Sequence, residues 1–165
     1  MEMQYFVAPG SQDQWFDYWR EQRWTWFQRI GLPERKLSWH EHLGDELAHY
    51  ASAAYDIQYE FPFGPGEVEG IHNRGDYDLS RHEKFSGKQL KYFDEESRDK
   101  FVPNVIETSI GATRTGMACL VEAYHEEEVK GDKRVVMRFH PRVAPIKAAI
   151  LPLVCLLYTS DAADD

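Results

Sequence analysis

The sequence is poor in cysteine and contains no long apolar run. Its 165 residues include two cysteines, Cys119 and Cys155, which excludes a disulfide framework and fits a reducing compartment. No stretch of 18 or more apolar residues occurs, so we expect no transmembrane helix. The opening stretch MEMQYFVAPG has neither a basic segment nor a long apolar one, and we expect no signal peptide.

Positive charge is also scarce. The chain has 19 Lys and Arg residues against 28 Asp and Glu residues, a formal net charge of −9. Since non-specific binding to a nucleic-acid backbone needs a basic face, an RNA partner would require basic surface from another part of the protein. Hydrophobic residues make up 42% and aromatic residues 14%, which is enough for a core and excludes a wholly disordered chain. The length fits one domain or a piece of a larger one.

Hydrophobic patterning predicts strands and helices in irregular alternation. Helices are predicted at 11–30, where an aromatic stripe indicates a core face, at 45–55 and at 111–124. Strands are predicted at 1–7, 56–63, 67–71, 101–106 and 133–139, with a further buried strand in the apolar stretch 143–154. A turn is expected at 64–66, an irregular segment at 72–82, and a solvated excursion at 80–100 with a small hairpin at 89–94. Because the strands are not regularly separated by helices, the pattern favours an α+β fold with an antiparallel sheet.

A first candidate for chemistry is a metal site at His40, His42, Glu46 and His49, which lie within ten residues. If this segment is helical, Glu46 and His49 share one face, and imidazole and carboxylate both bind zinc or iron. The spacing matches no closed ligand set, however, and no cysteine joins it. A polar, partly exposed turn is therefore the favoured interpretation.

Paired carboxylates and nucleophiles are weaker candidates. Glu67 and Glu69, on one predicted strand face, and Glu107 would allow acid–base chemistry on a glycoside, but carboxylates are abundant in this chain. Ser109 lacks the glycine-flanked elbow of serine hydrolases, and Cys119 lies among apolar residues where an inert thiol is expected.

The stretch 105–114, VIETSIGATR, runs from a predicted strand into a predicted helix. Ser109 and Gly111 allow a ligand to approach the backbone closely. Arg114 lies in the first helical turn, where backbone donors, the helix dipole and a guanidinium together suit a phosphate.

This stretch resembles the third signature motif of the class II aminoacyl-tRNA synthetases, in the form used by the dimeric glycyl-tRNA synthetases, V-I-E-P-S-x-G-x-x-R. Four further blocks agree in order. MEMQYF (1–6) resembles the end of the second motif, and AHYA (48–51) with FPFG (61–64) resembles the segment before the substrate loop. EVEGIHNRGDYDL (67–79) resembles E-L-E-G-I-x-x-R-x-D-x-D-L, and PRVAPIK (141–147) resembles the entry to the anticodon-binding domain. The resemblance covers residues 1 to about 154.

The resemblance implies a class II antiparallel sheet flanked by helices, and an ATP-dependent reaction. Glycine and ATP would give glycyl-adenylate, and the glycyl group would pass to the 3′ end of tRNA(Gly). It further implies ATP with Mg²⁺ as substrate-associated groups, a homodimer in the cytoplasm, and neither a membrane nor a DNA partner.

By the same resemblance, site residues can be assigned in this numbering. Those expected to bind glycine are Glu2, Glu107, Thr108, Ser109, Ile110 and Gly111. Those expected to meet ATP are Glu67, Val68, Gly111, Ala112, Thr113 and Arg114, with Glu67 also the expected Mg²⁺ ligand.

The chain departs from the family pattern in several places. Thr108 replaces the usual proline, and Gln4 stands where a second glutamate is more common. The first motif and the arginine of the second are absent, so we expect this chain alone not to charge tRNA. Residues 1–140 are expected to be the C-terminal part of the catalytic domain, 141–154 the start of the anticodon-binding domain, and 155–165 a non-native tail. The alternative is a synthetase-like regulatory or binding paralogue without catalysis.

Overall fold

The structure is a computed structural model and describes residues 1–151. In chain order its strands and helices are β1 (Glu2–Val7), α1 (Gln12–Arg29), β2 (Leu37–Glu41), β3 (Ala53–Phe61), β4 (Gly64–Gly75), α2 (Tyr77–Ser86), β5 (Tyr92–Phe93), β6 (Lys100–Phe101), β7 (Asn104–Ile110), α3 (Ala112–Ala123), β8 (Tyr124–Val129) and β9 (Asp132–Met137). The expected non-native tail at 155–165, and residues 152–154 of the predicted apolar strand, lie outside the described residues.

Five strands form the main sheet in the order β1-β7-β4-β3-β2. Every neighbouring pair in it is antiparallel. Two small hairpins, β5–β6 and β8–β9, stand apart from it. The predicted α+β class with an antiparallel sheet is therefore confirmed.

Helix α1 covers one face of this sheet with its aromatic side chains. Phe16 and Phe27 are buried, and the Trp15 ring packs 4.9 Å from that of Tyr5 on β1. The helix ends where Gly31 adopts φ +103°, a conformation that favours glycine. The predicted aromatic helix and its role in the core are confirmed. The buried core consists of Phe16, Phe27, Leu32, Leu37, Ile57, Tyr59, Phe61, Val68, Ile71, Ile106, Ile110 and Ala118.

A buried ion pair also fastens α1 to the sheet. Arg23 Nε lies 2.6 Å from Glu69 Oε1, and the Glu69 side chain is 0% exposed. Burial raises the pKa of Glu69, while the Arg23 charge opposes that rise. Glu69 therefore supports the fold from the helix-covered face of the sheet.

A register shift in the β3–β4 pair separates Glu69 from its neighbour Glu67. Ile57 is opposite Glu69 while the next residue, Gln58, is opposite Glu67. Residues opposite one another share a face, and consecutive residues point to opposite faces. Glu67 is thus on the face away from Glu69, and the expected pairing of these carboxylates on one strand face is wrong.

The helix predicted at 45–55 is also wrong. Only a short 3-10 turn forms, at Gly44–Glu46, and β3 already begins at Ala53. Ala53 and Tyr55 pair with Asn73 and Ile71 of β4, so long-range strand pairing overrides the local helical spacing.

The β3–β4 turn and the segment after it differ from the prediction too. The turn lies at 62–63, and β4 begins at Gly64 and continues to Gly75. The segment expected to be irregular holds the end of β4 and then α2. In the polar excursion, the small hairpin pairs Tyr92–Phe93 with Lys100–Phe101, later than the predicted 89–94.

The last described elements are α3 and the β8–β9 hairpin. The predicted helix at 111–124 is confirmed as α3. The predicted strand at 133–139 corresponds to β9, but its partner β8 was not predicted. No strand forms at 143–151, where Ile150 is 98% exposed, so this part of the predicted buried strand is wrong. Among residues 1–151, no helix is both long and apolar enough to cross a membrane.

Candidate active site

The sheet face opposite α1 gathers polar side chains from all five strands. Strand register defines one row across this open face. That row is His40, Asp56, Gly70, Ser109 and Glu2. Since directly opposed residues on neighbouring antiparallel strands lie about 5 Å apart, Ser109 has Gly70 on one side and Glu2 on the other.

A second row of opposed residues, next to the first, contains Glu107, the other carboxylate expected to bind glycine. Ala54, His72, Glu107 and Gln4 are opposed in that order across β3, β4, β7 and β1. Glu107 is two residues before Ser109 on β7, so both side chains point to the open face. Three of the predicted glycine-binding residues, Glu2, Glu107 and Ser109, are therefore brought together.

Glu107 is held in place by Arg74. Glu107 is 7% exposed, and its carboxylate forms an ion pair with the Arg74 guanidinium. Arg74 Nε also donates to Asp78 Oδ2 at 2.7 Å, and its guanidinium lies 4.1 Å from the centre of the Tyr50 ring. The hydrogen bond to Asp78 raises the pKa of Arg74 above its ordinary value. This network keeps a positive charge beside Glu107 and fixes the carboxylate at the sheet surface.

Gly70, which lies between Asp56 and Ser109 on the open face, has no side chain to fill the space above the strand. A Cβ built there would lie 2.9 Å from His72 Cε1 and 3.4 Å from Asp56 Oδ1. The absence of a side chain at Gly70 therefore leaves room for the His72 ring against the strand.

Two histidines lie on this part of the open face, and their pKa values are shifted in opposite directions. His42 Nε2 lies 2.8 Å from Asp56 Oδ2, and that hydrogen bond raises the pKa of His42. Burial lowers the pKa of His72, so His72 is neutral at neutral pH. Sequence reasoning assigned no role to Asp56, His72 or Arg74. Only Arg74 had a signal, as the arginine of the block at 67–79.

The end of β4 nearest α3 brings together residues expected to meet ATP. The Arg114 guanidinium donates to the backbone oxygen of Glu67 at 2.8 Å, and it lies 3.9 Å from the Glu67 carboxylate. Gly111 N–H donates to the Val68 oxygen at 3.0 Å, which ties the start of α3 to β4. Both charged side chains are about half exposed, and Ala112 and Thr113 form the exposed first turn of α3.

Three other predicted site residues have side chains that point away from the open face. Val68, Thr108 and Ile110 are buried. Val68 and Ile110 belong to the core beneath α1, and Thr108 is opposite Met3 and the core residue Ile71. Only the backbone of these residues is available to a ligand on the open face.

The residues considered as metal ligands, His40, His42, Glu46 and His49, do not form a ligand set in residues 1–151. Because residues 47–52 are not helical, Glu46 and His49 do not share a helix face. His40 Nε2 lies 3.5 Å from Glu46 Oε2, whereas the His49 ring packs against Tyr50 and Tyr77. Within residues 1–151, no three His, Cys, Asp or Glu side chains are grouped to hold one metal ion.

An antiparallel sheet with one helix-covered face and one open face is the architecture of part of a class II aminoacyl-tRNA synthetase catalytic domain. No family model matches the chain. Similar curated proteins, each named glycine–tRNA ligase, include those of Treponema denticola (53% identical), Chlorobaculum tepidum (52%) and Borrelia hermsii (56%). Each match covers 93% of this chain and 36%, 33% and 36% of the relative, respectively. Over 93% of its length the chain matches a segment of these glycine–tRNA ligases, and it spans about a third of the length of the curated relatives it matches.

Proposed function

We propose that this segment carries the glycine pocket and part of the ATP site of a glycine–tRNA ligase. The observation that supports this best is the convergence of Glu2, Glu107 and Ser109 on the open face of the sheet, with Glu107 held by Arg74. Glycine and ATP would give glycyl-adenylate and pyrophosphate, and the glycyl group would then pass to the 3′ end of tRNA.

Glycine recognition would use charge and exclusion. Glycine offers an ammonium group, a carboxylate and no side chain. The Glu2 and Glu107 carboxylates would bind the ammonium, and the Ser109 hydroxyl with the backbone of 108–111 would close over the α-carbon. A site cannot gain affinity from an absent side chain, so specificity must come from excluding larger amino acids.

ATP would lie toward α3. Arg114 and the exposed first turn of α3 would face the phosphates, where backbone donors and the guanidinium favour negative charge. The carboxylate of glycine attacks the α-phosphorus, the bond to the β-phosphate breaks, and pyrophosphate leaves with its charge partly balanced by Arg114. No protein nucleophile is needed. Catalysis is then by positioning and electrostatics.

Glu67 is the residue proposed to bind Mg²⁺. Its carboxylate is half exposed at the phosphate end of the face, and oxygen ligands from one carboxylate together with substrate phosphates are what Mg²⁺ prefers. The ion would neutralise phosphate charge when bound.

The rest of the proposal concerns the whole ligase. Residues 1–140 would form the C-terminal part of the catalytic domain and residues 141–154 the start of the anticodon-binding domain. The ligase would be a cytoplasmic homodimer with tRNA(Gly) as its partner. Since the chain spans about a third of its relatives, we expect the 165-residue chain alone not to charge tRNA.

A hybrid enzyme tests the proposal. This chain replaces the homologous segment of the Treponema denticola ligase, and ATP–pyrophosphate exchange is measured with glycine or alanine. We expect exchange that depends on glycine and is at least ten times weaker with alanine. A folded hybrid, with a melting curve like that of the unmodified ligase, that shows no exchange would refute the proposal and favour a paralogue without catalysis.

A further inference from the structure

His72 lies on the open face, and none of the contacts proposed for glycine or ATP gives it a role. It is directly opposite Glu107 of β7, and opposed residues on neighbouring antiparallel strands lie about 5 Å apart. Gly70, two residues earlier on β4, is on the same face. The imidazole of His72 therefore stands beside the residues proposed to bind the ammonium group of glycine.

The His72 ring occupies the space that a side chain at position 70 would fill. A Cβ built on Gly70 would lie 2.9 Å from Cε1 and 3.7 Å from Nδ1 of His72. Ser109 has Glu2 on one side and Gly70 on the other. An amino acid whose ammonium group is bound on the Glu2 side of Ser109 would direct its side chain to the other side, where the imidazole stands.

Side chains from neighbouring segments hold the ring in this place. Asp56 Oδ1 lies 3.4 Å from the same built Cβ position, and Asp56 Oδ2 lies 2.8 Å from His42 Nε2. The centre of the Tyr50 ring is 6.3 Å from the centre of the His72 ring. The imidazole therefore has little room to move toward β3, where the pair of His42 and Asp56 stands.

The ring adds bulk to the pocket without adding charge. Burial lowers the pKa of His72, although the negative charges of Glu107 and Asp56 oppose this effect. A neutral imidazole does not compete with an ammonium group for the carboxylates of Glu2 and Glu107. The buried Nδ1 atom of His72 has no hydrogen-bond partner among residues 1–151, so packing rather than a hydrogen bond at Nδ1 fixes the ring.

We propose that His72 is a specificity-determining residue of the glycine pocket. Its ring fills the space above Gly70 and excludes amino acids that carry a side chain, beginning with the methyl group of alanine. The assignment rests on the proposed function and deepens it, because it names a group that performs the exclusion. Such a group is needed, since the pocket cannot gain affinity from a side chain that glycine lacks.

The amino-acid preference of the hybrid ligase tests this assignment. ATP–pyrophosphate exchange is measured with glycine and with alanine, in the unmodified hybrid and in His72→Ala. The substitution opens the space above Gly70, so the ratio of kcat/KM for glycine to kcat/KM for alanine should fall about 10-fold, chiefly because alanine becomes a better substrate. A purely structural role would lower the activity toward both amino acids and leave their ratio unchanged.

Two further variants separate the size of the ring from its chemistry and its place. His72→Phe keeps an aromatic ring in the same space and loses no hydrogen bond at Nδ1, so the hybrid should keep its preference for glycine. His125→Ala is the matched control, because His125 is exposed on β8, outside the main sheet, and its removal should leave the preference unchanged. Melting curves establish that each variant is folded.

The assignment is overturned if folded His72→Ala prefers glycine as strongly as the unmodified hybrid, or if His125→Ala loses as much preference as His72→Ala. It is also overturned if folded His72→Phe loses the preference, and this variant decides the matter if His72→Ala does not fold. A folded unmodified hybrid without exchange would refute the proposed function and this assignment together. Glycine-dependent exchange with an unchanged preference in His72→Ala would refute this assignment alone.

Discussion

Removing the charged partner of Glu69 should destabilise the fold in a pH-dependent way. In Arg23→Met, the methionine keeps apolar contact with Trp26, whose ring lies 4.5 Å from the Arg23 guanidinium carbon, but Glu69 loses its counter-charge. The Glu69 side chain is 0% exposed. A carboxylate buried in this way takes up a proton rather than remain charged and unpaired.

Because Glu69 can take up a proton, the loss of unfolding free energy in Arg23→Met has an upper limit. An ordinary glutamate pKa is 4.5, about 2.5 pH units below pH 7, and each unit corresponds to about 1.4 kcal/mol. The unpaired charge can therefore cost about 3.4 kcal/mol at most. Since burial already raises the pKa of Glu69 in the unmodified chain, part of this cost is present before the substitution, and we expect a loss of about 2–3 kcal/mol at pH 7.

The sign of the pH dependence follows. The folded pKa of Glu69 lies above its unfolded value, so the cost grows as pH rises and disappears toward pH 4.5. Urea unfolding, followed by the fluorescence of the five tryptophans, should show Arg23→Met approaching the unmodified chain between pH 7 and pH 5. In Arg23→Met/Glu69→Gln the pH-dependent part should vanish. A difference in unfolding free energy that stays constant with pH would refute the account of this ion pair.

Three further predictions concern the open face. Gly70→Ala should displace the His72 ring, which a Cβ would meet at 2.9 Å, and should weaken glycine-dependent exchange in the hybrid while its melting temperature changes little. Arg114→Ala should lower that exchange about 10- to 1,000-fold without loss of stability, because its side chain is 55% exposed; normal exchange would remove Arg114 from the ATP site. The hydrogen bond to Asp56 raises the pKa of His42 above its ordinary value of 6.5. This bond therefore stabilises the folded chain most below pH 6.5, and the stabilisation is lost as pH rises through the raised pKa. Urea unfolding of His42→Gln should therefore differ from the unmodified chain more at pH 6 than at pH 9, and an equal difference at both would contradict this.

The parts of the fold that sequence patterning predicted are those whose apolar spacing also describes their burial. Helix α1 presents an aromatic stripe to the sheet. Helix α3 is an exception, because it forms as predicted but buries Thr115, Ala118 and Ala123 while Met117 and Leu120 are 38% and 52% exposed. Strand β1 alternates between exposed and more buried residues, as expected of a strand with one covered face. In α1 and β1 local preference and tertiary packing agree. The strand predicted at 101–106 lies instead at Asn104–Ile110, where Val105 to Thr108 are all buried.

Two of the wrong predictions concern segments that contribute residues to the candidate site. His72 and Arg74 make the end of β4 look irregular, yet both are strand residues whose side chains serve the open face. Polar residues required by a site break the apolar pattern from which strands are recognised. In the segment 45–55, residues 53–55 pair with residues 71–73 of β4, and a pattern read from neighbouring residues does not contain this contact.

The sequence motifs predicted which residues belong to the candidate site, but they did not predict how the side chains are arranged. Glu107, Ser109 and Arg114 came from one motif, and the motif cannot tell which side chains point to the ligand. Strand register decides this, and it turns Thr108 toward the helix-covered face. Asp56 and His72 lie on different strands, and only the folded sheet brings them together at Gly70.

The most direct test of the central claim is glycine-dependent exchange by the hybrid ligase carrying Glu107→Gln. Glutamine keeps the shape of the side chain and removes the charge that would bind the ammonium of glycine. The account predicts a loss of at least 100-fold in kcat/KM for glycine, in keeping with about 3 kcal/mol for a charged partner removed from a buried pair, with the KM for ATP nearly unchanged. A variant that activates glycine as well as the unmodified hybrid would contradict the claim that this open face is the glycine pocket.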